Sequence, residues 1–196
     1  QETEADIVWE HGTDARCIPF WKKFARDYPG RFYVTLTAHH LLANETEELG
    51  NNASVCKPTI KTTRDCQDLV RFVEEDHDWV MAGGDDAFHD ISKKHPEAGP
   101  CSCGAYTAPF LLPLYAHALE HLLRDERGRR IFIRFTCDNA RAFHSLQENP
   151  ASSDIRDVWV TLLRKDWEIP KRYVVGDKVA LPFWGGKTIR YQIKRD

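Results

Sequence analysis

With 196 residues the chain is long enough to bury a full core as one domain, and 42% hydrophobic against 29% charged residues is the balance of a soluble globular protein. A formal charge of -3 without a basic stripe argues against a phosphate-backbone partner, so no nucleic acid is expected. The greasiest run, residues 108–119, is interrupted by prolines and a histidine and is too short to span a bilayer, so no membrane contact is expected.

Residues 7–9 read as a short apolar strand that stops at Glu10-His11-Gly12-Thr13. A helix follows at once, with Thr13 or Asp14 as cap and Pro19 in its first turns. Phe20, Trp21, Phe24, Ala25 and Tyr28 form its apolar side, and Pro29-Gly30 stops it. Strand then helix opens an α/β unit. A second strand, 31–37, alternates Phe32, Val34 and Leu36 with Tyr33 and Thr35. Residues 39–61 are polar and irregular, a length more often functional than idle. Thr62 or Thr63 then caps an amphipathic helix whose Leu69, Val70, Phe72 and Val73 face the core before Glu74, Glu75 and Asp76 end it.

Residues 79–81 form a third strand, which runs into Gly83-Gly84-Asp85-Asp86. The glycines permit a turn that presents both carboxylates at the strand's carboxyl end, where ligands of open α/β sheets gather. A second irregular section, 89–104, leads to a long helix that starts near Pro109 or Pro113 and ends at Arg127-Gly128. A strand over 131–135, a helix over 154–166 capped by Asp154, and two short strands within 173–193 complete the chain. Residues 1–196 are thus expected to be a single catalytic domain of α/β class, a mainly parallel sheet flanked by helices.

The six cysteines are too few and too widely spaced to be the main scaffold, although disulfides are compatible with them. Asn44-Glu45-Thr46 and Asn52-Ala53-Ser54 spell glycosylation sequons in a polar stretch, and the chain opens on Gln1 rather than Met, as a trimmed product would. Both tilt the expectation toward the secretory pathway, either the Golgi lumen or secretion.

Asp78-Trp79-Val80-Met81-Ala82-Gly83-Gly84-Asp85-Asp86, then Cys103-Gly104-Ala105-Tyr106 with Ala118-Leu119-Glu120-His121-Leu122, then Arg156-Asp157-Val158-Trp159-Val160 with Ile169-Pro170, occur in an order that resembles the β1,3-galactosyltransferase-like group of GT-A glycosyltransferases. Gly84 stands where that group has the first Asp of its metal triplet, and Arg156 where it has an acidic residue. The resemblance implies a GT-A sheet, a nucleotide-sugar donor, and a glycan or protein hydroxyl as acceptor. It also implies Mn²⁺ or Mg²⁺ held by Asp85 and Asp86 against the diphosphate. Asp157 is then the general base with Asp154 second, and Glu10, His11, Gly12, Thr13 and Gly84, with Asp85, border the nucleotide. Read without the resemblance, two converging carboxylates at a strand end suit a divalent cation; the bland alternatives are an ordinary solvated turn for Gly83–Asp86 and, for Asp157, a first-turn carboxylate that complements a helix dipole.

His117-Ala118-Leu119-Glu120-His121 spells the motif of inverted zinc peptidases, so the rival reading is a zinc hydrolase or lyase in which two histidines four apart share a metal. Its bland counterpart is a pair of exposed helix histidines. A third reading is a secreted carbohydrate-binding module whose tryptophans stack on sugars without catalysis.

Overall fold

Phe32–Thr37 is nearly all apolar or β-branched, and five of its six residues are buried. A strand covered on both faces suits the middle of a parallel sheet, and this strand, β2, is central in a three-stranded parallel sheet. β1, Ile7–Trp9, pairs with it on one side and β3, Val80–Gly83, on the other. All three therefore end at the same rim. The structure, a computed structural model, describes residues 5–144 and 160–195.

The connections are helical. A 3-10 turn, Ala15–Cys17, capped by the Asp14 side chain, leads into α1, Ile18–Asp27. Only Trp21 of α1 is buried, whereas Phe20, Phe24 and Tyr28, expected to face inward, stay largely exposed. After β2 the chain turns directly into α2, Ala38–Leu42, where a loop was expected. Helix α3, Thr63–Glu74, starts at a reciprocal capping box: the Thr62 hydroxyl accepts from the Asp65 N–H while the Asp65 carboxylate accepts from the Thr62 N–H. Leu69, Phe72 and Val73 turn its buried side to the core.

Beyond β3 the structure departs from the sequence reading. The short helix α4, Ile91–Lys94, interrupts the irregular section. Helix α5, Leu111–Ala118, is half the expected length, and a separate helix α6, Glu126–Ile133, follows a 3-10 turn. Residues 131–135, expected as a strand, lie in α6 and the π-helical turn Arg134–Asp138 that carries it into α7, Asn139–Phe143. Ile131, Phe132 and Phe135 are buried at helical spacing, and the Asp125 carboxylate accepts from the Gly128 N–H to cap α6. Gly128 is thus inside a first turn rather than at a helix stop. A Cβ there would lie 2.0 Å from the Leu122 carbonyl oxygen. Gly128→Ala is expected to lower stability by about 1–3 kcal/mol or more, read as a fall in melting temperature.

The carboxyl-terminal part is antiparallel, so the sheet structure is less parallel than expected. β4, Val160–Glu168, pairs with β7, Thr188–Arg195, and β5, Tyr173–Val175, with β6, Lys178–Ala180. Residues 160–166, expected as helix, are strand because this ladder takes their backbone; residues 154–159 of that expectation, with Asp154 and Asp157, lie outside the described residues. Core packing joins the two parts, with Ile169, Phe183, Trp184, Ile189 and Tyr191 in the same apolar cluster as β2 and α3.

Candidate active site at the rim of the parallel sheet

Three strand ends bring His11, His39 and Asp85 to one rim. After β1 the chain is pinned to β2: the His11 N–H donates to the Thr35 hydroxyl (2.7 Å), which donates to Glu10 Oε2 (2.6 Å), and the Gly12 N–H donates to the Thr35 carbonyl (2.8 Å). Glycine is required at position 12, because a Cβ would meet the Trp21 ring at 2.6 Å. Thr13 is buried beside it. At the ends of β2 and β3 the buried Tyr115 hydroxyl from α5 lies 2.7 Å from the carbonyls of both Leu36 and Gly83, tying the two strands together where they finish.

His11 (φ 42°) and Asp85 (φ 39°) both hold left-handed backbone conformations. Such angles disfavour side chains bearing a Cβ and cluster where function demands an orientation. Two of the four non-glycine residues of this kind among the described residues are therefore at this rim. The His39 ring is completely buried, and its Nε2 lies 3.9 Å from Asp85 Oδ2. His11 Nδ1 and His39 Nδ1 are buried with no hydrogen-bond partner among the described residues. Unpaired buried polar atoms cost about 1–3 kcal/mol each, and a site built to receive something accounts for them.

The electrostatics favour proton chemistry at Asp85. Burial pushes its pKa up; the His11 imidazole opposes this and the charges of Glu10 and Asp86 reinforce it. Burial drives His39 well below the ordinary histidine value, and neighbouring His40 and His11 add to the shift.

The other residues expected at a site are placed as follows. Asp86 Oδ1 accepts from the Thr107 and Ala108 backbone N–H groups, so this carboxylate organises the chain entering the 3-10 turn Ala108–Phe110. Gly84 lies between β3 and Asp85, against Leu111. The His-x-x-Glu-His string straddles the end of α5 and does not lie on one helix face. His117 Nδ1 accepts from the Arg190 N–H, Glu120 is clamped by Arg164 and Arg190, and His121 pairs with Glu74. Those three side chains face different partners rather than a common metal.

Sequence reasoning assigned no role to His39, His40 or His89. Two consecutive histidines at the carboxyl end of a buried strand were the available signal for the first two. His89 donates through Nε2 to the Cys103 carbonyl (2.8 Å) and anchors the 101–104 segment.

Among the described residues, one group of three metal-capable side chains, His39, His40 and Cys56, has its donor atoms mutually within 4.8 Å. Its donors are imidazole and thiol, the preference of zinc rather than of Mn²⁺ or Mg²⁺.

Solved dihydroorotase and hydantoinase structures share the fold of this chain. No family model matches. The chain is 31% identical over 192 residues to a dihydroorotase of Helicobacter pylori strain P12, an alignment that covers 96% of this chain and 51% of the relative. Among solved structures it matches a Saccharomyces cerevisiae dihydroorotase in complex with 5-fluoroorotic acid (TM-score 0.84, 24% identity, 97% of this chain and 52% of that one). It also matches a Campylobacter jejuni dihydroorotase (TM-score 0.72, 26% identity, 97% and 51%). The chain spans about half the length of the relatives it matches.

These likenesses overturn the glycosyltransferase reading, together with its GT-A fold, nucleotide-sugar donor, glycan or protein acceptor, and Mn²⁺ or Mg²⁺. The motifs misled because a helix, a buried strand and a glycine-acid turn at a parallel strand's end are common to many α/β sites. The rival metal-hydrolase reading was nearer in class, although not in the residues chosen for it. The secretory-pathway expectation falls as well. Cys17, Cys56, Cys66, Cys101 and Cys103 are thiols, and the side-chain amide of Asn52 in the second sequon reaches both the Lys94 carbonyl (2.8 Å) and His95 Nδ1 (3.2 Å), so a glycan on that nitrogen would displace one of the two contacts. Among the described residues no helix is long and apolar enough to cross a membrane.

Proposed function

We propose that the chain carries a cyclic-amide hydrolase site of the dihydroorotase kind, acting on a dihydropyrimidine ring such as dihydroorotate. The observation that carries this reading is the convergence of left-handed His11 and Asp85 with buried His39 at one sheet rim, in a chain similar to dihydroorotases over 96% of its length. Ring opening adds water across the amide: the water oxygen bonds to the carbonyl carbon and the C–N bond breaks. One proton must leave the water and reach the departing nitrogen. Asp85, the carboxylate that β3 delivers to the rim, takes and returns that proton.

The donor chemistry fits zinc. His11, with its buried unpartnered Nδ1, and the Asp85 carboxylate are the imidazole and carboxylate that zinc takes, and they would hold the ion from β1 and β3. A zinc ion there would supply Lewis-acid polarisation of the scissile carbonyl. Catalytic zinc takes about three protein ligands, so at least one further ligand completes the set.

Calorimetric titration with 5-fluoroorotic acid tests the reading. Saturable binding that is lost in His11→Ala is the expected result. Absence of binding to the parent, or stabilisation by a uridine diphosphate sugar with Mn²⁺ instead, would remove the basis for it.

A further inference from the structure

A hydrogen-bond chain runs beneath the rim from Pro58 toward Asp85, and its direction can be worked out from one end. The Pro58 carbonyl can only accept, so His40 Nε2, 3.0 Å away, carries a proton. His40 is neutral, since burial pushes its pKa down to about 4. Its Nδ1 is therefore bare and accepts the Thr37 hydroxyl proton across 2.5 Å. With that proton committed, Thr37 Oγ1 is an acceptor toward His39 Nε2 at 3.2 Å, which must itself be N–H. The other ring nitrogen, Nδ1, is buried with no acceptor in reach among the described residues, so a proton there would go unpaired and Nδ1 is the bare lone pair. Cys56 fits the same pattern, its thiol donating to the second lone pair of the Pro58 carbonyl (3.2 Å).

The ring has little freedom to depart from this arrangement. Thr37, His39 and His40 are essentially inaccessible to solvent, and the His39 ring centroid lies 4.3 Å from that of His40 and 6.0 Å from that of Phe183. A histidine that merely filled the core would not need a fixed tautomer, and a leucine would serve there at less desolvation cost.

We propose that His39 is a positioning residue for Asp85: Thr37, His40 and the Pro58 carbonyl lock it as the Nε2–H tautomer, and that N–H, shared with Thr37 Oγ1, orients the Asp85 carboxylate. The 3.9 Å separation from Asp85 Oδ2 is longer than a hydrogen bond. Catalytic hydrogen bonds are commonly long before substrate binds and tighten in the complex. The inference rests on Asp85 being the proton-transferring group, and it explains why a buried histidine pair sits at the end of β2. Supporting residues of this kind typically contribute about 10–100-fold to activity.

The test is nuclear magnetic resonance on the protein at one fixed pH, with imidazole ¹⁵N and Asp85 ¹³Cγ observed and the carboxyl signal assigned through Asp85→Asn. Both His39 and His40 are expected as Nε2–H tautomers. His39→Leu should move the Asp85 ¹³Cγ signal, while His39→Gln, whose amide N–H can replace the donor, should hold it near the parent position. Thr37→Val should release His39 into a mixture of tautomers and serves if the leucine variant does not fold. An Nδ1–H or charged His39 in the parent, or an Asp85 signal indifferent to every substitution, overturns the proposal. In ring-opening assays kcat should fall about 10–100-fold in His39→Leu with little change in KM and recover in His39→Gln. A parent that is inactive on cyclic amides yet shows the expected spectra counts against the hydrolase reading and leaves the His39–Asp85 contact standing.

Discussion

Asp85→Asn should lower turnover of a dihydropyrimidine substrate by about 10²–10⁴-fold, the usual loss on removing a proton-transferring group, with melting temperature and KM close to those of the parent. Asparagine is the informative replacement because position 85 has φ 39°, a left-handed conformation that Asn and Asp adopt more readily than other side chains. The amide keeps the shape and cannot accept the proton. Alanine would confound the result, since backbone strain at that angle could disturb the rim by itself. Steady-state kinetics and a thermal melt on the same preparation decide the outcome. Turnover within a few-fold of the parent would show that Asp85 does not move the proton. An equal loss of stability and activity would assign it a structural role.

The largest expected effect on stability is at Trp21. Its side chain is completely buried between the two connections that carry the site, against Gly12 on the loop holding His11 and against Phe72 of α3, at 5.8 Å between ring centroids. Its indole N–H has no hydrogen-bond partner among the described residues, so its contribution is packing alone. Trp21→Ala should cost about 3–5 kcal/mol, the range for emptying an aromatic site in a core that cannot collapse. Trp21→Phe should cost less, because most of the contact area remains and an unpaired donor is removed. Urea denaturation of the three proteins at equal concentration gives the comparison. Because His11 hangs on the same loop, the alanine variant should also lose binding at the rim, whereas Gly128→Ala should destabilise without that loss.

Much of the amino-terminal half is legible in the sequence because the signals there are local. Thr62 followed by Asp65 makes a capping box within four residues, and the apolar spacing of α3 follows directly. β2 shows itself by a β-branched and aromatic run with no polar face to solvate. Residues 131–135 mislead for the same reason. Ile-Phe-Ile-Arg-Phe has strand-like composition, but the Asp125 cap and the core positions of Ile131, Phe132 and Phe135 favour helix, and tertiary packing outweighs propensity. β4 depends on β7, some thirty residues away, and no local pattern announces that pairing.

At the site, His11 and Asp85 could be found as polar residues at strand carboxyl ends, although the chemistry first attached to them was sugar transfer. Asp86 looked equivalent to Asp85 in sequence. What separates them is a pair of backbone N–H groups twenty-one and twenty-two residues further on, which engage Asp86 and leave Asp85 to the rim. His39 and His40 were passed over because their role depends on Pro58, eighteen residues beyond His40, and on burial that a polar dipeptide does not advertise. The buried Lys94 was missed likewise. Its ammonium donates to the Val55 and Gly104 carbonyls, joining two irregular segments that the sequence shows only as loops.

The most direct measurement is ring opening of dihydroorotate by the purified protein supplied with zinc, followed by appearance of the acyclic product, with Asp85→Asn as the matched control. Turnover by the parent that falls at least about a hundredfold in the control is the result expected of a cyclic-amide hydrolase built on this rim. No turnover by a folded, zinc-loaded parent, or equal turnover by both proteins, would contradict it.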